Sequence, residues 1–124
     1  MLGIGIDIVD VNRMRNLLNR DDGSFLDKVF TQREIFDSRR FKDLPEYFSI
    51  LFAFKESFVK AKGSGFTSFT KPKHIETRVT GKKISESKNL MKINVYFRSQ
   101  RVNLVNAECF KFENNIVCGL IVEF

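Results

Sequence analysis

The spacing of apolar residues changes period twice along the chain. Leu2 to Ile8 is a largely apolar run of branched aliphatics around Asp7, with Gly3 and Gly5 permitting close backbone approach, and it predicts a buried strand. From Asp10 the period becomes helical: Val11, Met14, Leu17 and Leu18 fall on one face, and Arg13, Arg15 and Arg20 take the other. This helix should end near Gly23, with Ser24 capping a short turn that carries Phe25, Leu26 and Val29. Thr31 and Glu34 form a capping box opening a helix that ends near Arg39 or Arg40. Asp43 followed by Pro45 marks the start of the longest element, a helix of about residues 45–62, ended by Gly63-Ser64-Gly65.

The second half alternates with period two. His74 to Thr80, Met91 to Arg98, Val102 to Phe112 and Ile116 to Phe124 predict strands. A turn is expected at Gly81, a loop over residues 85–89, and a hairpin turn at Asn114 and Asn115. A strand, then helices, then a run of strands predicts an α+β fold, an antiparallel sheet packed against helices. No linker or repeat divides residues 1–124, so one domain is expected.

Charge adds a partner class. Lys and Arg number 21 against 15 Asp and Glu, a net charge of +6, which favours an anionic partner: nucleic acid, an acidic protein, a phosphate-rich small molecule or a membrane surface. The first residues carry two Asp and no basic stretch, and no apolar run approaches the roughly 20 residues of a membrane span. A cytoplasmic protein is therefore expected, with Cys109 and Cys118 as buried reduced thiols. His74 is the single histidine, so a Ser/His/Asp or Cys/His triad would have to route through it.

Two carboxylates carry the candidate chemistry. Asp10 sits where a helix cap belongs, which leaves Asp7 in an apolar run, where a bare charge needs a cation or a hydrogen-bond partner. Metal binding and structural capping both stay open for it. Glu56 is either a surface residue paired with Lys60, four residues on, or a second ligand to the same hard cation. Lys55, Lys60 and Lys62 are either solubilising lysines or phosphate contacts, and Gly63 to Gly65 is either a helix stop or part of a phosphate site.

Taken together, G-I-D-I-V-D and, about fifty residues later, F-A-F-K-E-S-F-V-K-A-K-G-S-G resemble the phosphopantetheinyl transferase superfamily, in its small single-domain branch. The match runs over most of residues 3–83, and Phe25, the Thr31 to Glu34 box, Ile75-Glu76 and Gly81-Lys82 are also similar to family positions. The resemblance implies transfer of the 4′-phosphopantetheine arm of coenzyme A (CoA) to a serine of an apo-acyl carrier protein, releasing 3′,5′-ADP. It implies Mg²⁺ held by Asp7 and Glu56, and a catalytic set of Asp7, Glu56 and Lys60. CoA contacts are implied at Lys55, Lys60, Gly63, Ser64 and Gly65. The acidic carrier is expected to dock on Arg13, with Arg20, Phe25 and Lys28 beside it. A homotrimer with sites at subunit interfaces is also implied, with no nucleic-acid or membrane partner.

The chain departs from that pattern in three places. Leu51 stands where an Arg is usual, and His74 where an Asp is usual. A C-terminal Ser-His pair is missing, and Lys111 falls near the place of its His, where it could contact a CoA phosphate as a cation. The base for the serine proton is therefore open between a metal-bound water, Glu56 and a group on the carrier. The alternatives are a small basic RNA-binding module and an impaired paralogue that binds CoA or carrier without transfer.

Overall fold

The computed structural model describes residues 1–20, 22–67, 69–81 and 91–124. It is an α+β fold. Strand β1 (Leu2–Asp10) leads into helices α1 (Val11–Arg20), α2 (Ser24–Val29), α3 (Gln32–Asp37) and α4 (Leu44–Lys62). The strands β2 (Ile75–Gly81), β3 (Met91–Phe97), β4 (Gln100–Arg101), β5 (Leu104–Phe112) and β6 (Asn115–Glu123) follow. The strands form two antiparallel three-stranded sheets instead of one, ordered β1-β6-β5 and β2-β3-β4. Residues 82–90, with the expected loop at residues 85–89 and the residues of the expected turn that follow Gly81, lie outside the described residues.

Caps fix the helix starts much as the sequence pattern expects. Asp10 Oδ1 accepts from the backbone N–H groups of Asn12 and Arg13 at 2.9 and 3.3 Å. Thr31 and Glu34 form both bonds of a capping box, at 3.1 and 2.9 Å. Asp43 caps α4, and Gly63 closes it in the left-handed region at φ 81. Helix α3 is shorter than expected, passing into a 3₁₀ turn over Ser38–Arg40.

Helix α4 is the centre of the molecule. Nearly every residue from Glu46 to Val59 is buried, because it packs against β1 and β6 of the first sheet and also against β2 and α1. Phe48, Leu51, Phe54 and Phe58 fill the core with Phe30, Ile75, Val95 and Ile116.

Strand β1 corrects the expected burial. Its odd-numbered positions face α4, where a Cβ on Gly5 would overlap the Ser57 carbonyl oxygen and one on Gly3 that of Ala61. The even row of Leu2, Ile4, Ile6 and Ile8 is 58–65 % exposed. The last hairpin turns at Glu113 and Asn114, one residue earlier than expected, because Phe112 pairs with Asn115. Glu113 takes φ 55 in that turn. The cysteines are a second correction. Cys109 and Cys118 face each other across β5 and β6 with Cα atoms 4.1 Å apart, and the structure joins them as a buried disulfide.

One ion pair is sealed in the interior. The Lys55 ammonium is fully buried and donates to Glu34 Oε1 at 2.8 Å, to the Pro72 carbonyl at 3.1 Å and to the Ile75 carbonyl. Glu34 also accepts from Thr77 N–H at 2.8 Å, so the pair links α3, α4 and the start of β2. Burial pushes Glu34 above and Lys55 below its ordinary pKa, and their mutual attraction offsets only part of that. Removing one partner strands the other. Lys55→Met should therefore lower unfolding free energy by about 3–5 kcal/mol in denaturant titrations, and Lys55→Met with Glu34→Gln should recover part of the loss. Equal stabilities for the single and double variants would show that the stranded carboxylate is not the cause.

Candidate functional site

Alternation along β1 places Asp7 on the same face as Gly3 and Gly5, so its carboxylate points at α4. Helical side chains lean toward the helix N-terminus, which carries the Lys60 ammonium back to the strand. Lys60 Nζ donates to Asp7 Oδ1 at 2.9 Å and to the Ile6 carbonyl at 3.1 Å. Its pKa is raised, first by the hydrogen bond to Asp7. The pair expected between Glu56 and Lys60 is thus replaced by one between Asp7 and Lys60.

Glu56 lies one turn earlier on α4. Burial raises its pKa, the charge of Asp7 raises it further, and Lys60 pulls it back. Asp7 and Glu56 share a concavity of about 760 Å³. Arg13, Met14, Leu17, Phe25, Phe52 and Asn115 complete much of its wall. Two carboxylates held within electrostatic reach of each other, one partly desolvated, are a donor set that a hard cation relieves. No group of three or more His, Cys, Asp or Glu side chains suited to a metal occurs among the described residues. The pair fits Mg²⁺, which keeps several waters and takes one or two carboxylates together with substrate phosphate.

The other expected site residues divide. Arg13 and Phe25 stand in this concavity, with Phe25 packed edge-on against Phe30 at 6.0 Å between ring centroids. Arg20 and Lys28 are exposed on α1 and α2 and do not line it. Gly63, Ser64 and Gly65 lie one turn beyond Lys60. Positive φ values of 81 and 64 explain both glycines there, since a Cβ on either would meet nothing within 4 Å.

Two expected CoA contacts lie elsewhere. Lys55 is consumed by Glu34 and two carbonyls inside the protein, with no exposed surface to meet a phosphate. Lys111 sits 3.6 Å from Glu46 Oε1, at the opposite end of α4 from Glu56. Ten residues of helix separate the two glutamates, about 15 Å along the axis, so within one chain Lys111 does not line the concavity. His74 is not at the site either, and its Nδ1 accepts from Lys71 N–H at 3.1 Å.

Pattern reading missed Asn115 and Phe52, which line the concavity. Asn115 follows the hairpin turn whose Asn114 carbonyl accepts from Val11 N–H at 2.8 Å, so β6 opens beside the start of α1. No local signal marks that contact. Phe52 had a usable one, since it precedes Glu56 by one helical turn.

Comparison with known proteins places this fold and site. A family model for the 4′-phosphopantetheinyl transferase superfamily matches residues 3–119, and the chain belongs to that superfamily. Among curated proteins, the chain is 42 % identical over 80 residues to the holo-[acyl-carrier-protein] synthase of Ehrlichia ruminantium, covering 62 % of this chain and 65 % of that protein. It is 36 % identical over 74 residues to the protein of the same name from Geotalea daltonii, covering 60 % and 59 %. The matched stretch thus spans 59–65 % of the length of these relatives. Among solved structures, the holo-[acyl-carrier-protein] synthase of Neisseria meningitidis superposes with a TM-score of 0.76 at 21 % identity, covering 98 % of each chain. The enzyme from Bacillus anthracis in complex with CoA (3′,5′-ADP) superposes at 0.70 and 22 % identity, covering 98 % of this chain and 95 % of that one. These likenesses establish the fold, and family membership sets aside the RNA-binding alternative.

The raised pKa of Glu56 has a stability consequence. A carboxylate whose pKa is higher in the folded than in the unfolded chain subtracts stability when ionised, fully above its folded pKa and not at all below its unfolded one. Without divalent metal at neutral pH, Glu56→Gln should therefore melt at the same temperature as the parent or a few degrees higher. If Mg²⁺ with CoA raises the melting temperature of the parent, the same variant should lose that rise. A lower metal-free melting temperature, or an undiminished ligand shift, contradicts this account of the site.

Proposed function

We propose that this chain transfers 4′-phosphopantetheine from CoA to a serine of apo-acyl carrier protein, giving holo-carrier and 3′,5′-ADP, with Mg²⁺ as its metal. The observation that carries this reading is the concavity in which Asp7 and Glu56 face each other, with Lys60 on Asp7 and Arg13 on the wall. The names of its relatives supply the carrier, and the CoA bound by a structural neighbour supplies the donor.

The reaction forms a bond from the serine oxygen to the pantetheine-bearing phosphorus of CoA. It breaks the bridging P–O bond, and the electron pair leaves on 3′,5′-ADP. Asp7 and Glu56 would hold the cation, whose charge would offset that developing on the phosphoryl oxygens. Lys60, whose ammonium donates to Asp7 and is half exposed, would be within reach of the diphosphate with the cation bound. With both carboxylates engaged on the cation, the serine proton would pass to solvent or to a group on the carrier. The Gly63 to Gly65 turn lies along CoA beyond Lys60. Arg13 and Phe25, with Arg20 and Lys28 on the same helices, receive the acidic carrier.

The functional form is a trimer of single-domain chains. The exposed row of Leu2, Ile4, Ile6 and Ile8 continues over β6 and β5 to Phe110 and Phe112, an apolar face of a kind that marks an interface. Ile8 also lines the concavity, so a second copy on that face would border the site.

Incubation with CoA, Mg²⁺ and an apo-acyl carrier protein should add the phosphopantetheinyl mass to the carrier. Asp7→Ala should slow this on the order of a hundredfold or more with the circular dichroism unchanged. Ile6→Lys should sediment as a monomer and transfer poorly. An unmodified carrier at micromolar enzyme sinks the transferase reading, and a fully active monomeric Ile6→Lys sinks the trimer.

A further inference from the structure

Helix α2 packs against α1 and also against a 3₁₀ turn at Pro72–His74. A second concavity, of about 490 Å³, opens at that turn. The outward row of the second sheet forms its floor, with Glu76 beside Tyr96 in register and Arg78 next along β2. Lys73 and His74 rise from the turn, and Arg98 from the hairpin between β3 and β4.

The charge there is unbalanced. Glu76 is already engaged: its Oε1 accepts from the Thr31 hydroxyl at 2.7 Å and its Oε2 from Arg78 Nε at 2.9 Å. Neither Lys73 nor Arg98 forms an ion pair with a carboxylate among the described residues. His74 spends Nδ1 as an acceptor, which puts the proton of the neutral ring on Nε2.

The hairpin carries a second sign. Arg98 and Ser99 are the two central residues of a two-residue loop, with φ values of 49 and 69. That geometry favours Asn and Gly, because side chains with a Cβ are strained there. An arginine in such a turn is a local cost that the hairpin itself does not need. The Arg98 guanidinium donates to the Phe69 carbonyl, which steadies it beside the concavity.

We infer that this concavity is a second contact for the acidic carrier protein, extending the surface of Arg13, Phe25 and Lys28 around α2 to Lys73, His74 and Arg98. The identity of the partner rests on the transferase reading. A pocket for a single phosphate would converge its donors on one point. Here Lys73 and Arg98 come from separate elements and are exposed, a spread that suits successive carboxylates on an acidic helix. Nucleic acid fits less well, since the Arg78 guanidinium already lies 4.0 Å over the Tyr96 ring that a base would stack on. Contacts on both flanks of α2 fix the rotation of the carrier, and so the approach of its serine to the Asp7 and Glu56 site.

The test uses Lys73→Glu and Arg98→Asn, neither of which touches that site. Each should raise KM for apo-carrier roughly three- to tenfold at low salt, with kcat and KM for CoA unchanged and the difference shrinking at high salt. Arg98→Asn should melt no lower than the parent, because Asn accepts the left-handed conformation. Unchanged carrier KM in both variants overturns the inference, as does a loss that tracks unfolding. Amide chemical-shift mapping provides the independent arm. Shifts at Lys73, His74 and Arg98 on adding apo-carrier support the surface, whereas shifts with inorganic phosphate or a single-stranded oligonucleotide but not with carrier overturn it. If the parent transfers nothing, the transferase reading fails and the mapping alone decides the surface.

Discussion

Two glycines let β1 lie directly on the backbone of α4, and the position of the site follows from that contact. Gly3 and Gly5 meet the carbonyls of Ala61 and Ser57, where a side chain of any size would hold strand and helix apart. Strand alternation then leaves Asp7 as the next side chain on that face, and helical spacing sets Glu56 and Lys60 one residue before Ser57 and Ala61. The carboxylates are brought together by packed main chain, which resists displacement better than a loop would.

The same contact explains the outer face. A strand that spends three of its four odd positions on Gly3, Gly5 and Asp7 contributes little apolar area to its own core beyond Val9. Its isoleucines face the other way, exposed in a row beside Phe110 and Phe112. The site and the apolar face are therefore two sides of one strand, and Ile8 belongs to both. The buried Lys55 and Glu34 pair performs a different task, tying α3 and the start of β2 to the helix that carries Glu56.

Much of this was legible because it is local. Periodicity and caps located α1, the capping box at Thr31, both ends of α4 and most strands, and the cap at Asp10 freed Asp7 for chemistry. What escaped depends on distant contacts. Lys55 reads as an exposed lysine until Glu34, Pro72 and Ile75 close around it, and no helical spacing discloses a partner on another element. Strand register sets Lys111 beside Glu46, away from the Asp7 concavity of its own chain, which counting from the C-terminus does not disclose. The separation into two sheets also rests on register that alternation alone does not define. The cysteine pairing had a usable signal: positions 109 and 118 are symmetric about the Phe112 and Asn115 closing pair, so the hairpin sets them opposite each other.

The central claim is that Asp7 and Glu56 jointly hold one cation that also takes the diphosphate of CoA. Mn²⁺ in place of Mg²⁺ makes that geometry visible to electron–nuclear double resonance. With CoA present, the parent protein should show phosphorus hyperfine coupling to a bound Mn²⁺, and Asp7→Asn should lose that bound species while remaining folded. Mn²⁺ that binds the parent in the presence of CoA without phosphorus coupling, or that binds Asp7→Asn equally well, would contradict the account.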